Sequence, residues 1–260
     1  MTALFRRVLV TNDDGIAAPG LARLERIAAA LAEEVWVVAP EHDQSGTGQS
    51  ISLHAPLRVF EHGVRRYAVS GTPSDCVMFA MAQWLEASPP DLVLSGINAG
   101  ANIGDSVPYS GTVGAVMSAA LLGLPAVALS QAFTDRARID WSPVDTYAEP
   151  IIRRLWAHSP EGGCWNVNFP ACSVDEISHV RAVRTAEGSI RRARLVAGED
   201  ARGLPYWWLG FERASAHITA PDADITALRE KRIAITPMRD ARCWLEPGQE
   251  TDLATLLAAD

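Results

Sequence analysis

The first forty residues alternate between apolar runs and an amphipathic segment. Val8 to Thr11 and Val35 to Ala39 are continuous apolar runs, which predict two buried strands. Between them, from about Gly20 to Glu33, the spacing predicts a helix. Its apolar stripe comprises Leu21, Leu24, Ile27, Ala28 and Leu31. A strand, helix and strand in this order indicate a parallel sheet that is covered on both faces.

The alternation continues through residue 130. Short extended segments are predicted near 57–60 and 65–69, and Thr72 with Pro73 begins a helix as N-cap and first helical residue. The apolar runs at 91–95 and 126–130 predict further strands. Between them, a helix of small residues begins at Ser110-Gly111-Thr112 and runs through Leu122.

The second half is less regular. Residues 144–157 are predicted to be helical in part, with Pro150 breaking or restarting the helix. Residues 165–169 and 233–236 predict strands, and alternation over 179–212 fits an antiparallel hairpin that contains Tyr206-Trp207-Trp208. No linker or internal repeat is visible. We therefore expect one compact α/β domain over 1–260, with a core over about 1–178 and an elaborated portion over about 179–260.

Composition excludes several classes of protein. The net charge of -8 and the scarcity of lysine argue against a protein that binds nucleic-acid backbones, so no duplex binding is expected. The densest basic stretch, Arg191, Arg192 and Arg194, is interpreted as a solvated face. No apolar run approaches the roughly 20 residues that span a bilayer, and the N-terminus does not resemble a signal peptide.

The cysteines suggest a reducing compartment. Cys76, Cys164, Cys172 and Cys243 form no C-x-x-C pair and have no zinc-site spacing. Reduced thiols in a cytoplasmic protein are the simplest interpretation.

Three polar loops follow predicted strands. Asn12, Asp13 and Asp14 follow the first strand, residues 41–45 follow the second, and residues 95–105, including Asn98 and Asn102, follow the strand at 91–95. Ligands in open parallel sheets bind outside the carboxyl ends of the strands. We therefore expect these three loops to meet at one edge of the sheet.

The adjacent carboxylates of Asp13 and Asp14 point to a cation. Two acids beside a buried strand repel each other, and a hard divalent cation would neutralise them. Oxygen ligands from Asp, Ser and Asn suit Mg²⁺ or Mn²⁺, whereas zinc favours His and Cys. The motif taken alone is equally consistent with a simple turn at Asp14-Gly15.

Two segments could bind phosphate. Ser45-Gly46-Thr47-Gly48 is a glycine-rich loop, although it lacks the third glycine of a dinucleotide fingerprint and could be an ordinary surface loop. Ser110-Gly111-Thr112 lies at a predicted helix N-terminus, whose amides suit an anion, and simple N-capping is the alternative.

Two other features favour structural interpretations. His42 is interpreted as a solvated loop histidine rather than an acid or base. Trp207 and Trp208 are interpreted as core or interface rather than as a platform for base stacking.

Ordered motifs over most of the chain resemble the SurE family of survival proteins, which are 5'/3'-nucleotidases. They are VLVTNDDG at 8–15, VVAP-x3-QSG at 37–46, SGTPSDCV at 70–77, SGIN-x-G-x-N-x-G at 95–104, YSGTVGA at 109–115, NVNFP at 166–170 and RG-x-PYWW at 202–208. The resemblance implies a Rossmann-like three-layer α/β/α fold with a mainly parallel sheet and an extended C-terminal hairpin. It also implies homodimers or homotetramers that exchange C-terminal elements.

The resemblance further implies a metal-dependent reaction. One divalent ion per subunit, Mg²⁺ or Mn²⁺, would be held by Asp13, Asp14, Ser45 and Asn98, and phosphate would be removed from nucleoside 5'- or 3'-monophosphates. Asp13, Asp14 and Asn98 would be catalytic. The phosphate would lie beside Asn12, Gly46, Ser110, Gly111 and Thr112.

Two departures from the family pattern affect substrate preference, rate and assembly. Many members carry Glu-Gly where this chain has Ser118-Ala119, and Thr where it has Ala223. They keep open the alternative of a non-catalytic nucleotide- or phosphate-binding protein, or of another phosphomonoesterase. A phospho-aspartate enzyme is disfavoured because its D-x-D spacing is absent, and a dinucleotide oxidoreductase because the glycine fingerprint is incomplete.

Overall fold

The computed structural model describes residues 3–158, 162–214 and 217–239. Its strands form a nine-stranded sheet in the order β3-β4-β2-β1-β5-β6-β7-β11-β8 and a separate two-stranded hairpin, β9-β10. Their bounds are β1 Phe5–Thr11, β2 Ala32–Pro40, β3 Val59–Gly63, β4 Arg66–Val69, β5 Leu92–Ala99, β6 Ala126–Gln131, β7 Cys164–Phe169, β8 Val180–Ala182, β9 Ile190–Glu199, β10 Pro205–Arg213 and β11 Ile233–Met238.

Helices cover both faces of the large sheet. They are α1 Pro19–Leu31, α2 Pro73–Ala80, which continues as a π-helical segment over Met81–Leu85, α3 Gly111–Leu121, α4 Ser142–His158 and the short α5 Asp224–Arg229. On β1, Val8 and Val10 join the apolar core beneath α1 and α4, whereas the intervening Leu9 joins the core beneath α2 and α3. This alternation within one strand confirms the expected three-layer α/β/α arrangement.

The sheet is mainly parallel, and its strand order reverses at β1. Strands β4, β2, β1, β5, β6 and β7 pair in parallel. At the two edges, β3 is antiparallel to β4 and β11 is antiparallel to β7, while β8 pairs in parallel with β11. β1 lies between β2 and β5, so the chain proceeds outward in opposite directions from it. The crevice at such a switch point, outside the carboxyl ends of the strands, is where open α/β sheets bind ligands.

The expectation that Pro150 breaks or restarts its helix is wrong. α4 is continuous from Ser142 to His158 with Pro150 inside it. Proline removes one backbone hydrogen bond, but the packing of α4 onto the sheet outweighs that loss. The buried residues of this helix are Pro143, Val144, Ala148, Ile151 and Ile152.

Two other boundaries also differ from expectation. α1 ends at Leu31, because Ala32 and Glu33 already belong to β2. β5 continues to Ala99, four residues beyond the predicted strand, so Asn98 lies on a strand rather than in a loop.

The predicted hairpin is confirmed over β9 and β10 and is largely exposed, whereas the start of the predicted range, at 180–182, forms β8 of the large sheet. Trp207 and Trp208 are 58% and 70% exposed, so the core alternative for these two side chains is wrong. The arginines of β9 form a solvated face, as expected, with Arg192 paired to Glu212.

Two sequence expectations concern the whole chain. Among the described residues, no helix is both long and apolar enough to cross a bilayer. Cys76, Cys164 and Cys172 form no disulfide with one another, and Cys243 lies outside the described residues.

Candidate metal and phosphate site

The two adjacent acids at the end of β1 contact different elements. Asp13 is buried, and its Oδ1 accepts a hydrogen bond of 2.6 Å from Thr112 Oγ1 at the start of α3. Asp14 is partly exposed, and its Oδ2 accepts a hydrogen bond of 3.0 Å from the backbone N–H of Ala99 at the end of β5. The pair therefore joins the end of β1 to both α3 and β5.

Burial raises the pKa of both carboxyl groups. The pKa of Asp13 rises from 3.8 to about 6 because the group is removed from water, although the Thr112 hydroxyl opposes the shift, and nearby Asp14 adds repulsion. Burial also raises the pKa of Asp14, and the carboxylate of Asp43 adds to the shift. Raised pKa values at a strand end indicate that too little positive charge and too few hydrogen-bond donors lie near these carboxylates to stabilise their charged forms.

The loop after β2 lies against the same edge. The backbone N–H of Gln44 donates to the carbonyl oxygen of Asp13 at 2.8 Å, and that of Gly48 donates to the carbonyl oxygen of Tyr109 at 3.1 Å. Ser45 and Gly46 lie between these anchors and are exposed. The loop that carries Ser45 is therefore anchored to the end of β1 through Gln44, and the role of Ser45 as a metal ligand stays a prediction.

Glycine permits two close approaches at the site. A Cβ on Gly111 would lie 2.9 Å from Cβ of Asp13, so only glycine lets α3 begin against this acid. Gly96, within β5, has a φ of +135°, and a Cβ there would lie 2.3 Å from the carbonyl oxygen of Leu129. The strand that carries Asn98 can therefore pass this point only with glycine.

Asn98 and Asn102 have different surroundings. Asn98 is partly exposed, and its Nδ2 donates to the carbonyl oxygen of Gly100 at 3.0 Å. Its Oδ1 can act only as an acceptor, which suits a metal ligand. Asn102 is buried, and its Nδ2 donates to Ser130 Oγ at 2.9 Å and to Thr112 Oγ1 at 3.2 Å. Asn102 thus orients the hydroxyl group that contacts Asp13.

Sequence reasoning missed two buried asparagines that support this arrangement. Asn168 Oδ1 accepts from the backbone N–H of Asn102 at 2.8 Å, and Asn166 Nδ2 donates to the Asn102 carbonyl oxygen at 2.8 Å. Both lie on β7 and are fully buried. The sequence does hold a signal for them. Two amide side chains two residues apart on a buried strand share one face, because strand side chains alternate between faces, and together they indicate a polar site on that face.

Arg136 was also missed. It lies in the 3₁₀ turn of 136–138 after β6, and its Nη2 is 3.9 Å from Asp14 Oδ1 while its side chain remains 64% exposed. The carboxyl-end rule that selected three loops applies equally to the loop after β6. Applied there, it would have pointed to this residue.

The remaining predicted residues surround the acids. Asn12 is buried, and its Nδ2 donates to the Gly15 carbonyl oxygen at 3.0 Å, whereas its Oδ1 has no hydrogen-bond partner among the described residues. Ser110 is the N-cap of α3 and accepts from the backbone N–H of Val113, so the capping interpretation of this residue holds. The first amides of α3 still have no partner inside the helix and remain suited to an anion.

The donor set suits a hard divalent cation. Within the described ranges, no three His, Cys, Asp or Glu side chains are grouped closely enough to hold a metal, so a cation here would combine two carboxylates with neutral oxygens. Hydroxyl and amide oxygens from Ser45 and Asn98 are of that kind. The unpaired Asn12 Oδ1 and the raised pKa values of Asp13 and Asp14 fit the same reading.

A family model described as survival protein SurE matches residues 8–192. The chain belongs to the SurE family. It is 47% identical over 240 residues to 5'-nucleotidase SurE 1 of Burkholderia lata, with 92% of each chain covered. It is 46% identical over 237 residues to 5'-nucleotidase SurE of Bradyrhizobium diazoefficiens, covering 90% of this chain and 93% of that one.

The fold agrees with a solved SurE structure. The crystal structure of the SurE protein from Aquifex aeolicus superposes with a TM-score of 0.79 at 31% identity, covering 97% of this chain and 99% of that chain. The Rossmann-like α/β/α fold expected from the sequence is therefore confirmed.

The two departures from the SurE pattern lie away from Asp13 and Asp14. Ser118 and Ala119 are buried in the second half of α3, about 10 Å along the helix from Gly111. Ser118 Oγ is buried without a hydrogen-bond partner among the described residues, and nothing in the structure explains it. Ala223 is the N-cap of α5, which consequently begins without a side-chain cap.

Proposed function

We propose that this chain is a divalent-metal-dependent nucleotidase that hydrolyses nucleoside 5'- or 3'-monophosphates, or both, to nucleoside and phosphate. The observation that carries the proposal is the pair of carboxylates at the switch point, Asp13 and Asp14, with raised pKa values. The relatives in Burkholderia and Bradyrhizobium are named as 5'-nucleotidases, and the likeness covers nine-tenths of this chain.

Four residues would hold one Mg²⁺ or Mn²⁺ ion per subunit: Asp13, Asp14, Ser45 and Asn98. When bound, the ion supplies neutralisation of phosphoryl charge and acidification of a water molecule. Asp13 is held in place by Thr112 Oγ1, and Asp14 by the N–H of Ala99. These contacts fix the two carboxylates before any substrate arrives, which is how preorganised sites lower activation barriers.

The chain's own groups would bind the phosphate. The N-terminal amides of α3 at Gly111 and Thr112, with Ser110 at the cap, would donate to the non-bridging oxygens, and Asn98 would contact the same group. Asn12 and Gly46 would complete the phosphate's surroundings. Asp14, the more exposed of the two acids, would orient the attacking water and accept its proton.

The exposed hairpin supports a proposal about assembly. We propose a cytoplasmic homodimer or homotetramer in which β9 and β10 contact another subunit. The exposed apolar side chains that support this are Leu195, Val196, Leu204, Tyr206, Trp207, Trp208, Leu209 and Phe211. Trp207 and Leu209 share one face of β10 and Trp208 lies on the other, so apolar side chains are exposed on both faces of the hairpin, and exposed apolar surface of this extent usually marks an interaction site.

Phosphate release from a substrate panel tests the activity. Metal-stripped protein is assayed with nucleoside 5'- and 3'-monophosphates and with p-nitrophenyl phosphate, with Mg²⁺ or Mn²⁺ added in turn. Metal-dependent release that favours the nucleotides is expected. Nucleotide binding in the presence of Mn²⁺, without release from any ester, would instead establish a binding protein on this scaffold and refute the proposal.

A further inference from the structure

We propose that the cavity between the start of α1 and the loop after β6 binds the nucleoside part of the substrate. The cavity has a volume of about 260 Å³. It is lined by Asp14, Ala18, Pro19, Gly20, Asp43, Ala99, Arg136, Ile139 and Trp141. This inference rests on the proposed nucleotidase function and assigns the part of the site that would distinguish a nucleotide from a smaller phosphate ester.

The position of the cavity is the first argument. Asp14, one of the proposed metal ligands, and Ala99, whose N–H it accepts, form part of the cavity wall. A phosphate bound at the metal would therefore have its ester oxygen next to an open space. The volume lies just below the roughly 300 Å³ at which pockets for whole small ligands begin, which suits a ligand whose phosphate lies outside the cavity.

The chemistry of the lining is the second argument. Ala18, Pro19, Ile139 and Trp141 give an apolar surface that suits the flat face of a base. Asp43 uses Oδ1 to accept from the backbone N–H of Ser45, and its second oxygen can accept from ribose hydroxyls. Apolar walls with a few placed polar groups are typical of small-molecule sites.

Trp141 is a fixed part of this surface. It packs on the core beneath α1, and a Cβ on Gly20 would lie 3.4 Å from its ring. The guanidinium group of Arg23 lies 5.3 Å from the ring centroid and is itself paired with Asp145 on α4. A rigid aromatic wall favours binding because little conformational freedom is lost when the ligand arrives.

Arg136 supplies the positive charge of the cavity. Its guanidinium group is 3.9 Å from Asp14 and largely exposed, so it can turn toward a phosphate dianion at the metal without leaving its loop. Because Ile139 and Trp141 of the apolar wall lie on the same segment after β6 as this cation, that segment would contact both ends of a nucleoside monophosphate.

A second cavity provides a matched control. It has a volume of about 250 Å³ beside α3, with Gln49, Ser110 and Met117 among its lining residues. Asp14 does not line it. The variant Ile139→Trp would fill the proposed cavity, whereas Gln49→Trp adds the same side chain to the second one.

The experiment compares two esters with Mn²⁺ present: adenosine 5'-monophosphate and glycerol 2-phosphate. We expect Ile139→Trp to lower kcat/KM for the nucleotide by about tenfold or more, chiefly through KM. The factor by which kcat/KM for the glycerol ester falls should be smaller by about fivefold or more. Gln49→Trp should change the two esters by the same factor. Calorimetry with adenosine alone, without metal, should detect binding to the wild-type chain and a clear loss in Ile139→Trp.

The outcomes separate this inference from the proposed function. Equal losses on both esters for Ile139→Trp, or a selective loss of nucleotide hydrolysis in Gln49→Trp, would overturn the assignment of the cavity. Thermal unfolding of every variant and the smaller variant Ile139→Val separate a filled cavity from a misfolded protein. Ile139→Val should keep most nucleotide hydrolysis. If Ile139→Val also lost the preference for the nucleotide over the glycerol ester, the proposal would be contradicted. If wild-type protein hydrolysed glycerol 2-phosphate and the nucleotide equally well, the cavity assignment would fail while the phosphatase survived. Release from neither ester would refute the proposed function itself.

Discussion

At the scale of single residues, burial of the Asp13 carboxylate lowers the stability of the folded chain. Its pKa in the folded chain is about 6, above the ordinary 3.8. Between these values the unfolded chain loses its proton while the folded chain keeps it, so stability falls as pH rises from about 4 to 6 and stays lowered above that. The effect on metal-free protein is on the order of 2–3 kcal/mol.

Asp13→Asn should therefore stabilise the metal-free protein at neutral pH. The measurement is thermal unfolding in EDTA at pH 7.5 and at pH 4. We expect the variant to melt higher than wild type by several degrees at pH 7.5, with little difference at pH 4. The exposed Glu86→Gln is the control and should change neither value appreciably. A variant that melts lower than wild type at pH 7.5 would contradict this view of Asp13.

The sequence reveals the acids of the site more readily than their partners. The NDDG motif at the end of an apolar run identifies Asp13 and Asp14, because strand ends and acid pairs are local features. Their partners are distant in sequence: Thr112 lies 99 residues from Asp13. Arg136 has no motif around it, so only its place after β6 in the folded sheet reveals it.

At the scale of elements, the buried Asp224 and the partly exposed Asp105 attach the loop after β5 to the C-terminal portion. Asp224 accepts backbone hydrogen bonds from Gly104 at 2.9 Å and Ala186 at 3.0 Å, and one from Ile225 at 2.7 Å. Asp105 accepts from Ile190 at 2.8 Å, where β9 begins. The segment that follows Asn98 is thus connected to the hairpin.

Asp224→Ala should weaken this connection. Buried amides of three residues would lose their acceptor, so we expect unfolding free energy to fall by about 3 kcal/mol or more in chemical denaturation. Asp222→Ala, two residues away, removes an exposed pair with Arg184 and should cost less than about 1 kcal/mol. Equal effects of the two substitutions would argue against the connecting role of Asp224.

The elements themselves follow from sequence where their signals are local. The start of α2 is an example: Thr72 and Asp75 form a capping box, as the Thr-Pro-Ser-Asp motif indicates. The prediction at Pro150 was wrong because it applied the local rule that proline breaks helices, whereas tertiary packing keeps α4 continuous. The predicted strand β5 was too short because glycine in a sequence usually indicates a turn. Gly96 instead lies within the strand, where its backbone packs closely against Leu129.

At the scale of the whole molecule, the hairpin is the part that the sheet does not bury. Its strands pair with each other and not with the nine-stranded sheet. Sequence periodicity predicts the hairpin, but it does not reveal that Trp207 and Leu209 stay exposed, because burial depends on segments that are distant in the chain. The division into one domain with a core and a C-terminal portion stays a prediction.

Replacing Trp207 and Leu209 together by Ser tests the assembly. The two side chains share one face of β10 and are 58% and 67% exposed. Light scattering coupled to size-exclusion chromatography should show a lower mass than wild type, whereas Arg194→Ser on the paired strand should leave the mass unchanged. An unchanged mass for the double variant would place the interface elsewhere.

The central claim is that Asp13 and Asp14 form a metal-dependent phosphatase site. The most direct test is phosphate release from a nucleoside 5'-monophosphate by wild type and Asp14→Asn during titration of metal-stripped protein with Mn²⁺. Wild type should gain activity with metal, and Asp14→Asn should lose at least about a hundredfold while its melting curve stays cooperative. Glu41→Gln, at the neighbouring strand end, should retain most activity. Full activity in folded Asp14→Asn, or activity in wild type that is independent of metal, would contradict the account.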